Sequence, residues 1–165
     1  MDHQTIATHF ADDHDRLDSL FHQYRTLKRS DFPQAKRNFR DFKFSLQRHI
    51  IWEEEILFPL FEQKSGGTVD GPTEVMRREH RLIEQQLEAI HRKVKVQDPN
   101  SDGEDEALFA VLSAHTMKEE QILYPAIDRS IGAEEAARVF AAMDAVPPER
   151  YAVCCHAAHH PHTHS

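Results

Sequence analysis

Residues 10–59 of this chain return in kind 66 positions later, and no other feature restricts the fold as strongly. Phe10 pairs with Met76, Asp13 with Glu79, His14 with His80, Leu17 with Ile83 and Phe21 with Leu87. Further along, Phe42 pairs with Leu108, Leu46 with Leu112, His49 with His115 and Glu53 with Glu119. The run Glu54-Glu55-Ile56-Leu57-Phe58-Pro59 then aligns with Glu120-Gln121-Ile122-Leu123-Tyr124-Pro125. In a chain of 165 residues, two such copies are expected to share one core, related by a pseudo-twofold axis.

Each copy reads as a helical hairpin. Gly and Pro gather in the loops Ser65 to Pro72 and Asp98 to Gly103. A shorter turn, Ser30-Asp31-Phe32-Pro33, offers a capping Ser or Asp before a proline suited to a first helical turn. Between these marks lie long segments at approximately 3–29, 33–64, 73–96 and 103–130, and a short one near 133–144. None alternates like a strand. Each repeats apolar residues at spacings of three and four, as in Phe42, Leu46, Ile56, Leu60 and Leu108, Leu112, Ile122, Ala126. The expected fold is all-α: an up-down-up-down four-helix bundle built from two repeated hairpins, with a short C-terminal helix and a flexible tail. Residues 1–146 form the bundle domain on this reading, and 147–165 the tail.

Several function classes drop out. No apolar run approaches the ~20 residues of a membrane span, so no membrane association is expected. The opening residues carry neither a basic n-region nor an apolar h-region, so the expected location is cytoplasmic. A net charge of −8 leaves no basic face for nucleic acid. Cys154 and Cys155 are adjacent and give no framework for a disulfide scaffold.

The histidines carry the chemistry. Of 13, five lie in the last ten residues and eight in the body. The repeat selects four of those eight, because His3, His9, His22 and His91 have no histidine partner under the shift. His14 lies 15 residues before the end of the first segment, and His49 lies 16 after the second begins. Both therefore sit roughly 23 Å from the turn, at one level. His49 and Glu53, like His115 and Glu119, are one turn apart on one helix face. All six polar residues occupy apolar-stripe positions, with no Lys or Arg among them. Buried carboxylates must then take up protons or meet a cation. Imidazoles and carboxylates are the ligands of a divalent or trivalent metal pair, and bundle cores host such pairs. The alternative is a layer of core histidines hydrogen-bonded to protonated glutamates.

This pattern resembles the hemerythrin-like, or HHE cation-binding, domains: His14, then His49-x-x-x-Glu53, then His80, then His115-x-x-x-Glu119, with Ile56-Leu57-Phe58-Pro59 and Ile122-Leu123-Tyr124-Pro125 beside them. The resemblance covers about residues 5–130. It implies two non-haem irons joined by an oxo or hydroxo bridge, with His14 and His49 on one, His80 and His115 on the other, and Glu53 and Glu119 bridging. Oxygen-carrying members have H-x-x-x-H on the third helix where this chain has Met76, and an aspartate five residues after the last histidine where this chain has Glu119 after four. Each iron would then keep exchangeable positions, which suits turnover of O2, peroxide or nitric oxide in detoxification or redox stress. Iron or oxygen sensing, storage or reversible O2 binding is the alternative.

Other residues have plainer expected roles. Phe10 and Met76 wall the site, and Tyr24, Tyr124 and Phe58 pack the core, with lining of access or a redox role as the alternative. Asp18 and Glu84 face solvent. Glu54 and Glu120, rotated by ~100° from the bridging positions, meet solvent or a neighbouring helix. His91 lies ~16 Å along its helix from His80, too far to share its metal. In the tail, two thiols with five imidazoles form a potential site for Zn, Cu or Ni, or for a metal-donor or redox partner.

Overall fold

A computed structural model describes residues 4–66 and 71–152. The described residues are all helix and turn. Helix α1 spans Ile6–Leu27, and α2 spans Phe32–Trp52. A π-helical turn, Glu53–Leu57, leads into α3, Phe58–Ser65. The second hairpin repeats this order: α4, Pro72–Lys95; α5, Asp102–Lys118; a π-helical turn, Glu119–Leu123; and α6, Tyr124–Ser130. Helix α7, Ala133–Ala145, and a 3-10 turn, Pro148–Ala152, follow.

Local chemistry accounts for the helix starts. Thr5 caps α1 by accepting from the Thr8 amide at 3.0 Å. The Asp128 carboxylate accepts from the next two orphan amides, Ile6 at 2.9 Å and Ala7 at 3.0 Å, joining α1 to α6. Asp31 caps α2 through the Gln34 amide at 3.2 Å, with Pro33 in the first turn. After α3, Gly66 takes the left-handed conformation, φ 84°, that a side chain resists.

Two apolar clusters flank one polar layer. Phe10, Trp52, Leu57, Met76, Tyr124 and Ile127 belong to the first; Leu17, Phe21, Phe42, Leu46, Ile83 and Leu108 belong to the second. His14 lies between Phe10 and Leu17 in sequence, and His80 between Met76 and Ile83, so the histidine layer separates the clusters. At the far end of the second cluster, buried Lys28 bonds Asp105 at 2.7 Å and Ser101 at 3.0 Å, tying α1 to α5.

The π-helical turns change the expected core stripe. A π turn inserts a residue and shifts the phase of everything after it. Leu57 and Leu123 are buried at 0% and 2% exposure, whereas Ile122 is 62% exposed and Ile56 only partly covered. The stripe assigned to Ile56, Leu60, Ile122 and Ala126 therefore moves on by one residue. The packed body also extends past Pro147-Pro148: Tyr151 is buried and accepts from the Trp52 indole N–H at 2.8 Å. The Cys/His-rich segment, 153–165, lies outside the described residues, as do the metals and partners expected there.

Candidate metal centre

The two π-helical turns begin at Glu53 and Glu119, one turn after His49 and His115. The Glu53 amide donates to both His49 and Ile50 carbonyls, and the Glu119 amide to both His115 and Thr116, as the ladder changes pitch. All six repeat-selected residues are no more than 5% exposed, and Glu53 and Glu119 are at 0%. They converge. His14 Nε2 lies 3.2 Å from His49 Nε2 and 3.2 Å from Glu119 Oε1. Glu53 Oε1 lies 3.1 Å from His80 Nε2 and 3.5 Å from His49 Nε2. Glu119 Oε1 is 3.3 Å from His115 Nε2.

Carboxylates outside the layer orient the rings. The Nδ1–H of His49 donates to Asp13 at 2.7 Å, that of His115 to Glu79 at 2.8 Å, and that of His80 to Glu54 at 2.6 Å. A carboxylate only accepts, so each Nδ1 carries the proton and a neutral ring turns its Nε2 lone pair inward. The outer carboxylates are themselves held: Asp13 by Arg16 and Arg48, Glu54 by Arg81, Glu79 by Lys118.

Such a layer places acceptors against acceptors, and the metal-free chain answers with protons. Burial disfavours a charged His49, but the Glu53 charge and the hydrogen bond to Asp13 outweigh it and raise its pKa well above the usual range. Burial opposes a charged His80 too, yet its bonds to Glu53 and Glu54 push it up to about 9. His115 is raised against its burial by the Glu119 charge. Burial and the Glu119 charge raise Glu53. Glu119, despite its burial, is held low by His115. One carboxylate oxygen, Glu119 Oε2, is buried without a hydrogen-bond partner. A cation is the natural replacement for these protons, and the donor set fits one. Ligand atoms lie within 4.8 Å of one another in two groups: Glu53, His80, His115 and Glu119; and His14, His49 and Glu119. Glu119 belongs to both.

The model of the hemerythrin HHE cation-binding domain matches residues 5–127. The chain belongs to that family. A hemerythrin-like protein of Schizosaccharomyces pombe is 29% identical over 125 residues, 75% of this chain and 60% of its own length. Iron–sulfur cluster repair proteins YtfE of Yersinia pseudotuberculosis and Edwardsiella ictaluri are 42% and 47% identical over 45 residues, 27% of this chain and 20% of theirs. The chain thus spans at most 60% of the length of these curated relatives. No solved structure matches it.

Within this hemerythrin-like framework the two halves differ. The Tyr124 hydroxyl donates to Glu53 Oε2 at 2.7 Å and lies 3.2 Å from His49 Nε2 and 3.4 Å from His14 Nε2. Its repeat partner Phe58 has no hydroxyl and stacks on His80, with centroids 5.8 Å apart. Tyr124 is therefore part of the polar layer, not only core packing. Glu54 meets a neighbouring helix, as expected, and does so through His80 itself. Glu120 stays partly exposed, 3.5 Å from a His14 Nδ1 that has no hydrogen-bond partner.

Phe10 walls the site as expected, 5.1 Å from the His49 ring, and Met76 packs in the first apolar cluster. Asp18 is exposed, while Glu84 is half-buried and pairs with Arg81 at 3.4 Å. His91 takes no part in the layer and lies against Phe39. Asp13 and Glu79 were visible as a repeated pair, each directly before a selected histidine, yet spacing along one helix does not show that they reach across to the histidine of the next. Among the described residues no helix is long and apolar enough to cross a membrane.

Proposed function

We propose that this chain is a non-haem di-iron protein that reduces or consumes a small oxidant, O2, peroxide or nitric oxide, in detoxification or redox stress. One observation carries the reading: the two ligand groups share Glu119 and adjoin a small, partly open cavity of about 20 Å3, lined by Leu17, Leu46, Ile50, Ile83 and Leu112 together with Asp18 and Thr116. That volume holds a single water-sized molecule. The imidazole–carboxylate donor set suits iron. On this reading His14 and His49 hold one iron, His80 and His115 the other, and Glu53 and Glu119 lie between them. Bound iron supplies electrons and exchangeable coordination positions.

The chain's own residues do the rest. Asp13, Glu54 and Glu79 hold the Nδ1 protons, which keeps each Nε2 aimed at the layer. The aliphatic walls leave room beside the layer for only a small molecule. Tyr124 keeps a proton on its hydroxyl, since burial and the Glu119 and Glu53 charges raise its pKa well above the usual range. That proton is donated to Glu53 Oε2 and stands beside the reacting layer. The name of the YtfE relatives, iron–sulfur cluster repair proteins, agrees with an iron-handling role.

The deciding experiment is metal analysis of chain ending at Ala152, which keeps Tyr151 and removes the thiols and imidazoles beyond. About two irons per chain are expected, as in other carboxylate-bridged bundles. The loaded protein should consume peroxide or nitric oxide faster than free iron does. A metal-free chain after anaerobic reconstitution overturns the di-iron reading. A stable oxy form released under vacuum replaces turnover with reversible binding.

A further inference from the structure

Away from the metal layer, a groove of about 610 Å3 runs between α2, the last turns of α4 and the C-terminal 3-10 turn. This is the size of a small-molecule pocket. Phe39, Phe44, Val94 and Tyr151 give it an apolar lining, and Lys36, Arg37, Arg40, Lys43 and Lys95 surround it with positive charge. That concentration is unusual in a chain of net charge −8.

The pairing of charges elsewhere sharpens the point. Most of the 20 lysines and arginines have a carboxylate within 4.0 Å. Those without one among the described residues are Lys36, Arg37, Lys43, Lys95, Arg129 and Arg138, and the first four line this groove. Arg40 has only Asp41, at 4.0 Å. Gln47 adds an independent observation. It is 5% exposed, lines the same groove, and its carboxamide makes no hydrogen bond among the described residues. Its amide atoms are not among the sealed polar atoms of the core, so they open onto the groove, where a ligand can meet them. Lys36, Arg40, Lys43 and Gln47 recur at spacings of three and four, so they share one side of α2.

We propose that this groove binds a small amphipathic organic anion. Its apolar or aromatic body lies against Phe39, Phe44 and Tyr151. Its carboxylate or phosphate head meets Lys36, Lys43 and Lys95, which have no carboxylate partner, with the Gln47 carboxamide as an uncharged donor. The proposal is independent of the metal centre.

The test is fluorescence titration of the full chain with 8-anilinonaphthalene-1-sulfonate and with its uncharged analogue N-phenyl-1-naphthylamine. One saturable site is expected for the anion, about tenfold tighter than for the neutral probe, since charge complementarity separates the two. The double variant Lys43→Glu/Lys95→Glu should lose about tenfold in anion affinity with an unchanged melting temperature. Gln47→Leu should weaken the anion and spare the neutral probe. Displacement by dodecanoate assigns an acyl carboxylate, and displacement by phenyl phosphate an organic phosphate. Equal affinity for both probes, indifference to the charge reversals, or failure of both competitors overturns the proposal.

Discussion

The first and second hairpins contribute the same ligands to the metal layer but surround them differently. On the His80 side, Glu54 holds the ring at 2.6 Å and is itself held by Arg81, while Phe58 stacks flat against the imidazole. On the His14 side, Glu120 stands off at 3.5 Å, Nδ1 is unpartnered, and the place of Phe58 is taken by a tyrosine hydroxyl. A repeat can thus preserve a donor set while its surroundings diverge. The difference teaches that one half has an outer carboxylate on each histidine, while the other has one only on His49 and adds Tyr124, so the halves should not exchange metal or protons alike.

The most severe way to break the comparison is to remove what the halves share. Glu119→Ala should abolish metal binding in both, read as loss of iron to near background by mass spectrometry, because Glu119 stands in both ligand groups. Removing what they do not share should separate them. Glu54→Ala is expected to lower metal affinity by about 10–100-fold, the usual effect of losing a ligand's orienting carboxylate. Glu120→Ala should change it far less, both measured by competition with a chelator.

Proton competition gives the next effect. His80 titrates at about 9 in the metal-free fold against 6.5 ordinarily. A raised histidine pKa stabilises the metal-free fold fully below 6.5 and loses that contribution as pH rises through 9. The melting temperature of metal-free protein should therefore fall across that window while metal affinity rises, with protons released on loading. Tyr124→Phe makes the halves alike at the position of Phe58. It removes a hydrogen bond to a buried carboxyl group and should cost about 2 kcal/mol in metal-free stability by denaturant unfolding. In loaded protein, the two iron environments should draw together in the Mössbauer spectrum. The smallest effect belongs outside the layer: Asp128→Ala removes the acceptor for the Ile6 and Ala7 amides and should cost about 1 kcal/mol by the same unfolding measurement.

Much of this was legible in the sequence. The 66-residue shift singles out His14, His49, His80 and His115, and stripe position points Glu53 and Glu119 inward, because identity at a fixed period and burial at helical spacing are both one-dimensional signals. What escaped depends on neighbours in space. Glu54 was expected to meet solvent or a neighbouring helix, but which histidine it would hold depends on how the next helix packs. Assuming regular helix through Glu119, where the ladder widens into a π turn, put Ile122 inside and Leu123 outside, the reverse of their burial. Tyr124 looked like core because a hydroxyl has no periodicity. Asp13 and Glu79 act on histidines 36 residues away, a reach that only the packing of adjacent helices defines.

The contact between His14 and Glu119 has a consequence for the unfolded chain. These residues are 105 positions apart, and they belong to different hairpins. On the proposed reading, a metal held by both closes a loop comprising most of the polypeptide. By the loop-closure estimate for covalent crosslinks of this span, such a tie restricts the denatured ensemble by on the order of 4–5 kcal/mol. Iron would then serve as a topological clasp as well as a reactant, and losing it would lengthen the free chain before it disturbed any single helix.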